Sequence, residues 1–394
     1  MLGWPRDTAQ SFIEAYRKGK DGILPNISHP KLDLSATIHG LKTLRSEIPR
    51  TEPIGCFLSD TAESYLQAAD LLNSRGTPEF TEISKIMYGA PGDKIRGSEL
   101  SNLDAAEHFV RATQESFGLS PLLGDDFCLR PEAVRDDLQK RVNEFFVGQS
   151  IEIRLDPSLS AKAAAGADRI SIRGGSPFSR YDLDQLWSHE ALVHTLTALN
   201  GRSQPHFKSF SLGAPRATAT QEGLATFSEL LTGVIDLDRL KRIALRIRAI
   251  AIAESGGDFM DVFRFMLDQG QTENESFWSA QRVFRGGNVK GGSFFTKDVV
   301  YLEGLISTHT FFRWCMHTKR LDTAVRLFAG KMTFEDAVLL GPTFERGWIK
   351  PPKFQPPWLQ NYHCLAAHLA FSIFTQTISL DRFQEVFLEA LAAT

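Results

Sequence analysis

The sequence has 394 residues, with 44 Lys and Arg against 47 Asp and Glu, for a formal net charge of −3. This near-neutral balance gives no sign of a basic surface for nucleic acid, which argues against that class of protein. The four cysteines, Cys56, Cys128, Cys315 and Cys364, lie far apart, which favours reduced thiols over a disulfide framework or a cysteine zinc site. No secretion signal and no apolar run of the ~20 residues of a membrane helix is visible. We therefore expect a soluble, cytoplasmic protein with neither nucleic-acid nor membrane partners.

The first 148 residues are predicted to be mainly helical. Asp60 and Glu63 have the spacing of a capping box, which predicts a helix over 60–76. Three further helices are predicted over 78–89, 101–118 and 131–148, each ending at a glycine that can adopt the left-handed cap conformation.

Two strands follow this helical region. Residues 150–155 and 168–173 alternate apolar and polar side chains, which is typical of half-buried strands, and 161–167 is predicted to be a loop. Further helices are predicted over 183–199, 219–232, 238–254, 258–268, 273–285, 297–318, 321–329, 334–340, 362–375 and 380–393. The expected fold class is α+β, mostly α, with a small sheet.

The helix predicted over 183–199 carries the most informative motif, His189-Glu190-Ala-Leu-Val-His194. In HExxH zinc hydrolases, two histidines one turn apart bind the metal and the glutamate activates water. Here the spacing is one residue longer, and the two histidines would lie ~140° apart on an ideal α-helix. A π-bulge near Leu192 would return them to one face. Either the helix is widened at this point or the spacing is accidental.

Glu222 is the candidate third ligand of a His2Glu zinc site. Thr218 and Gln221 have capping-box spacing, which would place Glu222 in the first turn of the next helix, where the macrodipole favours an ionised carboxylate. Gly223 would let this helix approach the histidine helix closely. Glu229, seven residues after Glu222, is either a competing ligand or a partner that supports a ligand.

The segment Gln221-Glu-Gly-Leu-Ala225, preceded by HExxxH, resembles the flavohaemoglobin expression-modulating QEGLA family of bacterial proteins. That family is similar to the microtubule-associated tyrosine carboxypeptidases. A second block of resemblance covers 282–286 and 295–304.

The resemblance implies a zinc metallopeptidase with a carboxypeptidase-like activity on a peptide or protein C-terminus. It implies a zincin-like catalytic region over 149–394, with 1–148 packed on it or continuous with it as one domain. The matching residues are His189, His194 and Glu222 as Zn²⁺ ligands and Glu190 as the general base that activates the zinc-bound water.

Other side chains are candidates for binding and stabilising the substrate. Tyr301 and Lys297 are candidate donors to the oxyanion, and Arg282 and Arg285 are candidates for binding a substrate carboxylate. The strand over 168–173 is expected to offer its edge to an extended peptide.

The sequence also allows other interpretations of its histidines and of its function. His363 and His368 repeat the longer spacing but have no following glutamate, so we interpret them as packing residues, whereas His309 is left open as a site residue. A His and Glu set also suits ferrous iron. The alternative function is a non-catalytic, regulatory zinc-binding protein that modulates the expression or activity of a partner.

Overall fold

The architecture comes from a computed structural model of the chain. It describes residues 2–375, apart from residue 6 and residues 20–23, 116–128, 158, 160 and 176. The helix predicted over 380–393 and Cys128 lie outside the described residues.

The described part of the chain is mostly helical, as predicted. Its α-helices, in chain order, are α1 (Thr8–Arg17), α2 (Ser35–Glu47), α3 (Pro53–Asn73), α4 (Pro78–Tyr88), α5 (Asn102–Glu115), α6 (Pro131–Phe145), α7 (Arg180–Leu186), α8 (Leu196–Arg202), α9 (Thr218–Leu231), α10 (Leu237–Glu254), α11 (Phe259–Asp268), α12 (Glu273–Phe284), α13 (Val299–His317), α14 (Leu321–Arg326), α15 (Phe334–Leu339), α16 (Gly341–Glu345), α17 (Pro357–Gln360) and α18 (Tyr362–Thr375). The strands are β1 (Glu152–Asp156), β2 (Ala163–Ala165) and β3 (Arg169–Arg173).

The predicted start of α3 is wrong. Helix α3 begins at Pro53, where proline occupies the first turn, and Asp60 lies inside it. Proline suits the first helical position because an N–H group there would have no hydrogen-bond partner within the helix. Instead of capping the helix, Asp60 accepts a hydrogen bond from Arg50.

The sheet contains one strand, β2, that the sequence pattern does not predict. In the described residues the strand order is β1-β3-β2, with β1 parallel and β2 antiparallel to β3. The run of alanines in β2 shows no alternation of polarity and has low strand propensity, so it was predicted to be a loop. Because β3 is paired on both sides, the prediction that it offers a free edge is wrong. The outer edge belongs to β2.

Two large hydrophobic cores and a small third one around Phe80 hold the described helices together. The first large core contains Phe57 and Leu138 together with the buried face of the sheet and Leu224. The second large core contains Phe12 and packs α1 and α5 against the helices from α10 to α13. Residues from both sides of the predicted boundary at 148 therefore contribute to both large cores, and the division into two regions stays a prediction.

A close helix crossing fixes the position of α9. A Cβ atom on Gly223 would lie 2.2 Å from the carbonyl oxygen of Gly304 in α13. Gly223 therefore permits close packing, as predicted, but the partner is α13 rather than the histidine helix. The side of α9 that carries the candidate ligand is left free to face the histidines.

Among the residues that the structure describes, no helix combines the length and the apolar character needed to cross a bilayer.

Candidate metal centre and cleft

The two histidines of the motif lie on one face of a widened helix. Residues Trp187–Thr195 form a π-helix that continues α7 and leads into α8. The rings of His189 and His194 are 4.9 Å apart between centroids, at an interplanar angle of 78°. A π-helix has more residues per turn, so a spacing of five returns to the same face. Of the two alternatives that the spacing leaves open, the structure has the widened helix, and the widening extends over nine residues rather than a single bulge.

The start of this helix differs from the prediction. Ser179 is the N-cap, and its side chain and that of Asp182 form a capping box. The helix thus begins at Arg180, three residues before the predicted start, and Asp182 belongs to its first turn.

Glu222 completes a group of three possible metal ligands. Its Oε2 lies 3.5 Å from Nε2 of His189 and 3.7 Å from Nε2 of His194. The three ligand atoms all lie within 4.8 Å of one another. A tetrahedral ion with bonds of about 2.0–2.1 Å places its donors about 3.4 Å apart, so these side chains fit a metal after small adjustments. This is the one such group found in the described part of the chain.

The local reason for the position of Glu222 is not the predicted one. Helix α9 follows directly on a 3₁₀ turn, and its N-cap residue, Ala217, makes no side-chain cap. Gln221 instead accepts a hydrogen bond of 2.9 Å from the hydroxyl of Thr197, which ties α9 to α8. Glu222 therefore lies beyond the first turn. Burial opposes ionisation of this carboxyl, but hydrogen bonds with both histidines hold its pKa well below the usual range.

Glu229 contacts His189 and does not belong to the group of three possible metal ligands. Its Oε1 lies 2.6 Å from Nδ1 of His189, the ring nitrogen that does not face Glu222. The carboxylate is fully buried and also accepts hydrogen bonds from Gln185 and Arg239. A carboxylate on the second nitrogen fixes the orientation and tautomer of a metal-binding histidine.

The charges around His189 favour a cation at the three ligand atoms. Burial lowers the pKa of His189, but hydrogen bonds with Glu222 and Glu229 outweigh it and raise the pKa to about 10. Burial also opposes ionisation of Glu229, yet Arg239 and His189 lower its pKa to about 2. The carboxylates therefore remain ionised, which is the form that binds or supports a metal.

The ligand group opens into a cleft with a volume of about 340 Å³. Glu190, the outer strand β2 and the segment before α9 line it, together with Tyr301. Four basic side chains also line it: Arg282, Arg285, Lys297 and Lys331. The cleft is thus locally basic although the protein as a whole carries a net charge of −3.

The structure brings together all the predicted site residues except His309, whose role the sequence leaves open. His309 lies on α13 against the ring of Phe227, with centroids 6.1 Å apart, and is not among the residues that line the cleft. His363 and His368 are exposed on α18 and belong to no metal-binding group within the described ranges.

Comparison with protein families agrees with this site. The family described as microtubule-associated tyrosine carboxypeptidase matches residues 14–377, which is most of the chain. The chain belongs to this family. None of the curated proteins compared with it matches. Membership confirms the predicted relation to tyrosine carboxypeptidases.

Family membership also gives the broad type of activity. A tyrosine carboxypeptidase is a peptidase, so membership implies carboxypeptidase-like activity and a peptide or protein substrate. The match covers the π-helix, α9 and the basic residues of the cleft.

Several residues of the site carry no signal in the sequence. Arg239 lies ten residues after Glu229 and Lys331 more than a hundred residues after Glu222, and no short motif connects them. Glu229 itself was found because it shares a helix face with Glu222. Lys331 reaches the cleft because its backbone N–H donates to the carbonyl of Phe210 at 2.7 Å, a contact set by the fold.

Proposed function

We propose that this chain is a zinc-dependent carboxypeptidase in which His189, His194 and Glu222 hold Zn²⁺. The observation that carries the proposal is the convergence of three ligand atoms from a π-helix and α9 at one end of a peptide-sized cleft. Two imidazoles and one carboxylate are a common ligand set of catalytic zinc. Zinc in such a site lowers the pKa of a bound water to about 7 and polarises a carbonyl group.

Glu190 is the proposed general base. Its side chain follows His189 on the π-helix, is 8% exposed and lines the same cleft as the ligands. From there its carboxylate takes a proton from the attacking water and returns it to the leaving amine. Structural zinc normally has four protein ligands, whereas this site offers three ligands with the Glu190 carboxylate beside them. The arrangement therefore favours a catalytic site over the alternative, a non-catalytic regulatory site.

Tyr301 and Lys297 are the proposed donors to the carbonyl oxygen that gains charge during the reaction. Both line the cleft. The Tyr301 hydroxyl lies 3.4 Å from Nη2 of Arg282, and Lys297 lies close enough to Glu222 to lower the pKa of that carboxyl. Each therefore lies next to a charged group of the site.

Strand β2 is the proposed support for the peptide backbone. Ala163–Ala165 lines the cleft, and its pairing partner β3 occupies only one of its two edges. An extended peptide can add to such an edge through main-chain hydrogen bonds. The small alanine side chains leave room for the side chains of the substrate. We extend the proposal to a zincin-like catalytic region over 149–394.

Removal of the metal is the direct test of zinc dependence. We expect the purified chain to lose hydrolysis of a peptide with a free C-terminus after dialysis against a chelator. Added Zn²⁺ should restore the rate, because the ion again supplies the Lewis acid that activates the water and polarises the carbonyl group. Initial rates before chelation, after it and after re-addition of zinc give the answer. Activity that survives complete removal of zinc contradicts the proposal.

A further inference from the structure

Three arginines surround one buried carboxylate at the basic side of the cleft. Asp298, which is 3% exposed, precedes α13. Arg282 donates to both of its oxygens, from Nε at 2.5 Å and from Nη2 at 2.7 Å. Arg246 and Arg285 are more distant, with closest nitrogens 3.7 Å and 3.9 Å from the Asp298 oxygens. We call these four residues the arginine cluster.

The arginine cluster carries surplus positive charge. Three guanidinium groups face a single carboxylate, and Arg282 already forms both hydrogen bonds with it. Burial and the charge of Arg282 together lower the pKa of Arg246, to about 10, and that of Arg285. Buried charge without a counter-charge is costly, so an incoming anion would be stabilised here.

Arg285 is the member of the arginine cluster that is free to bind this anion. Its guanidinium forms no hydrogen bond with any described residue, and its Nε is buried without a partner. It lines the cleft, whereas Arg246 is not among the lining residues. The guanidinium also lies over the ring of Phe295, 5.2 Å from the centroid, which helps to fix its orientation.

We propose that Arg285, rather than Arg282, binds the terminal carboxylate of the substrate. This inference rests on the proposed function, since a carboxypeptidase places that carboxylate one residue from the bond it cleaves. A planar guanidinium with free donors can hold a carboxylate through two parallel hydrogen bonds. Arg282 is unsuited to this because its Nε and Nη2 already donate hydrogen bonds to Asp298. Asp298 and Arg246 then form the fixed surroundings of the binding site.

The test compares two peptides of one sequence, with a C-terminal carboxylate or a C-terminal amide, on zinc-loaded protein. We expect Arg285→Gln to lower kcat/KM for the free acid by about 10- to 100-fold, mainly through KM. The rate on the amide should stay unchanged, so the ratio of the two rates falls toward one. Arg285→Lys keeps the charge but loses the planar fork, and should lie between wild type and Arg285→Gln.

Arg346→Gln is the matched control, because Arg346 is exposed and lies outside the cleft. It should keep the wild-type ratio, and melting temperatures should show that every variant is folded. A folded Arg285→Gln variant with the wild-type ratio overturns the inference. The inference is also overturned if Arg282→Gln loses the preference for the free acid over the amide while Arg285→Gln keeps it.

Calorimetric binding of the two peptides to the Glu190→Gln variant, with and without Arg285→Gln, needs no hydrolysis. A chain that never cleaves peptide but shows an Arg285-dependent preference for the free acid would contradict the proposed function and support this carboxylate site. Equal binding of acid and amide in the presence of Arg285 would overturn the inference alone.

Discussion

Replacing Glu190 by glutamine should abolish most of the peptidase activity while leaving the zinc content unchanged. The carboxamide keeps the size and the hydrogen-bonding capacity of the side chain but cannot accept a proton from water. General-base catalysis contributes about 100- to 10,000-fold, so kcat should fall by that factor. KM should change little, because the peptide and the metal contact other residues. Steady-state kinetics and metal analysis of the same preparation measure both effects.

Glu303→Gln provides the control for this experiment. Glu303 lies on α13, where its carboxylate accepts a hydrogen bond from Ser307, and it is not among the residues that line the cleft. The same change of charge at that position should leave kcat unaffected. Full activity in a zinc-loaded Glu190→Gln variant would show that another group is the base.

The second large effect is expected at Glu222. We expect Glu222→Gln to weaken zinc binding by about 100- to 1000-fold, because apparent zinc affinities of about 10–16 kcal/mol are shared among a few ligands. A neutral amide is a poor ligand and cannot balance the charge of the ion. Competition with a chromophoric chelator measures the affinity directly.

Glu229→Gln is the matched variant, seven residues later on the same helix. Because Glu229 contacts Nδ1 of His189 and is not among the three proposed ligands, we expect only a 10- to 100-fold loss of zinc affinity. Melting temperatures are needed here, since the change also leaves Arg239 without its buried partner. Equal losses in the two variants would contradict the assignment of Glu222 as a ligand and Glu229 as its support.

Much of the helical architecture could be predicted because its signals are local. The helix over 78–89 was bounded by Pro78 and Gly89, and the structure places it at Pro78–Tyr88. The helix start at Asp60 was wrong because two local signals competed and the proline at residue 53 determined the start. Strand β2 was missed because its alanines acquire strand structure only by pairing with β3.

The candidate site was predictable where it depends on spacing along the chain. His189 and His194 required a widened helix to face one another, and the structure has one. Glu222 does lie beside the two histidines, but not for the predicted reason, since Gln221 accepts a hydrogen bond from Thr197 instead of capping the helix. Asp298, Arg239 and Lys331 reach the site through tertiary packing, so no local pattern indicates them. Tertiary packing also determines that Arg282 donates to Asp298 while the donors of Arg285 stay free.

The measurement that tests the central claim most directly is a digest of a peptide library by the zinc-loaded chain, read by mass spectrometry. The proposal predicts products shortened by one residue at the C-terminus, from peptides with a free carboxylate. The Glu190→Gln variant should yield none of them in the same time. Internal cleavage, removal of N-terminal residues, or an unchanged library with zinc bound would contradict the assignment of this chain as a zinc carboxypeptidase.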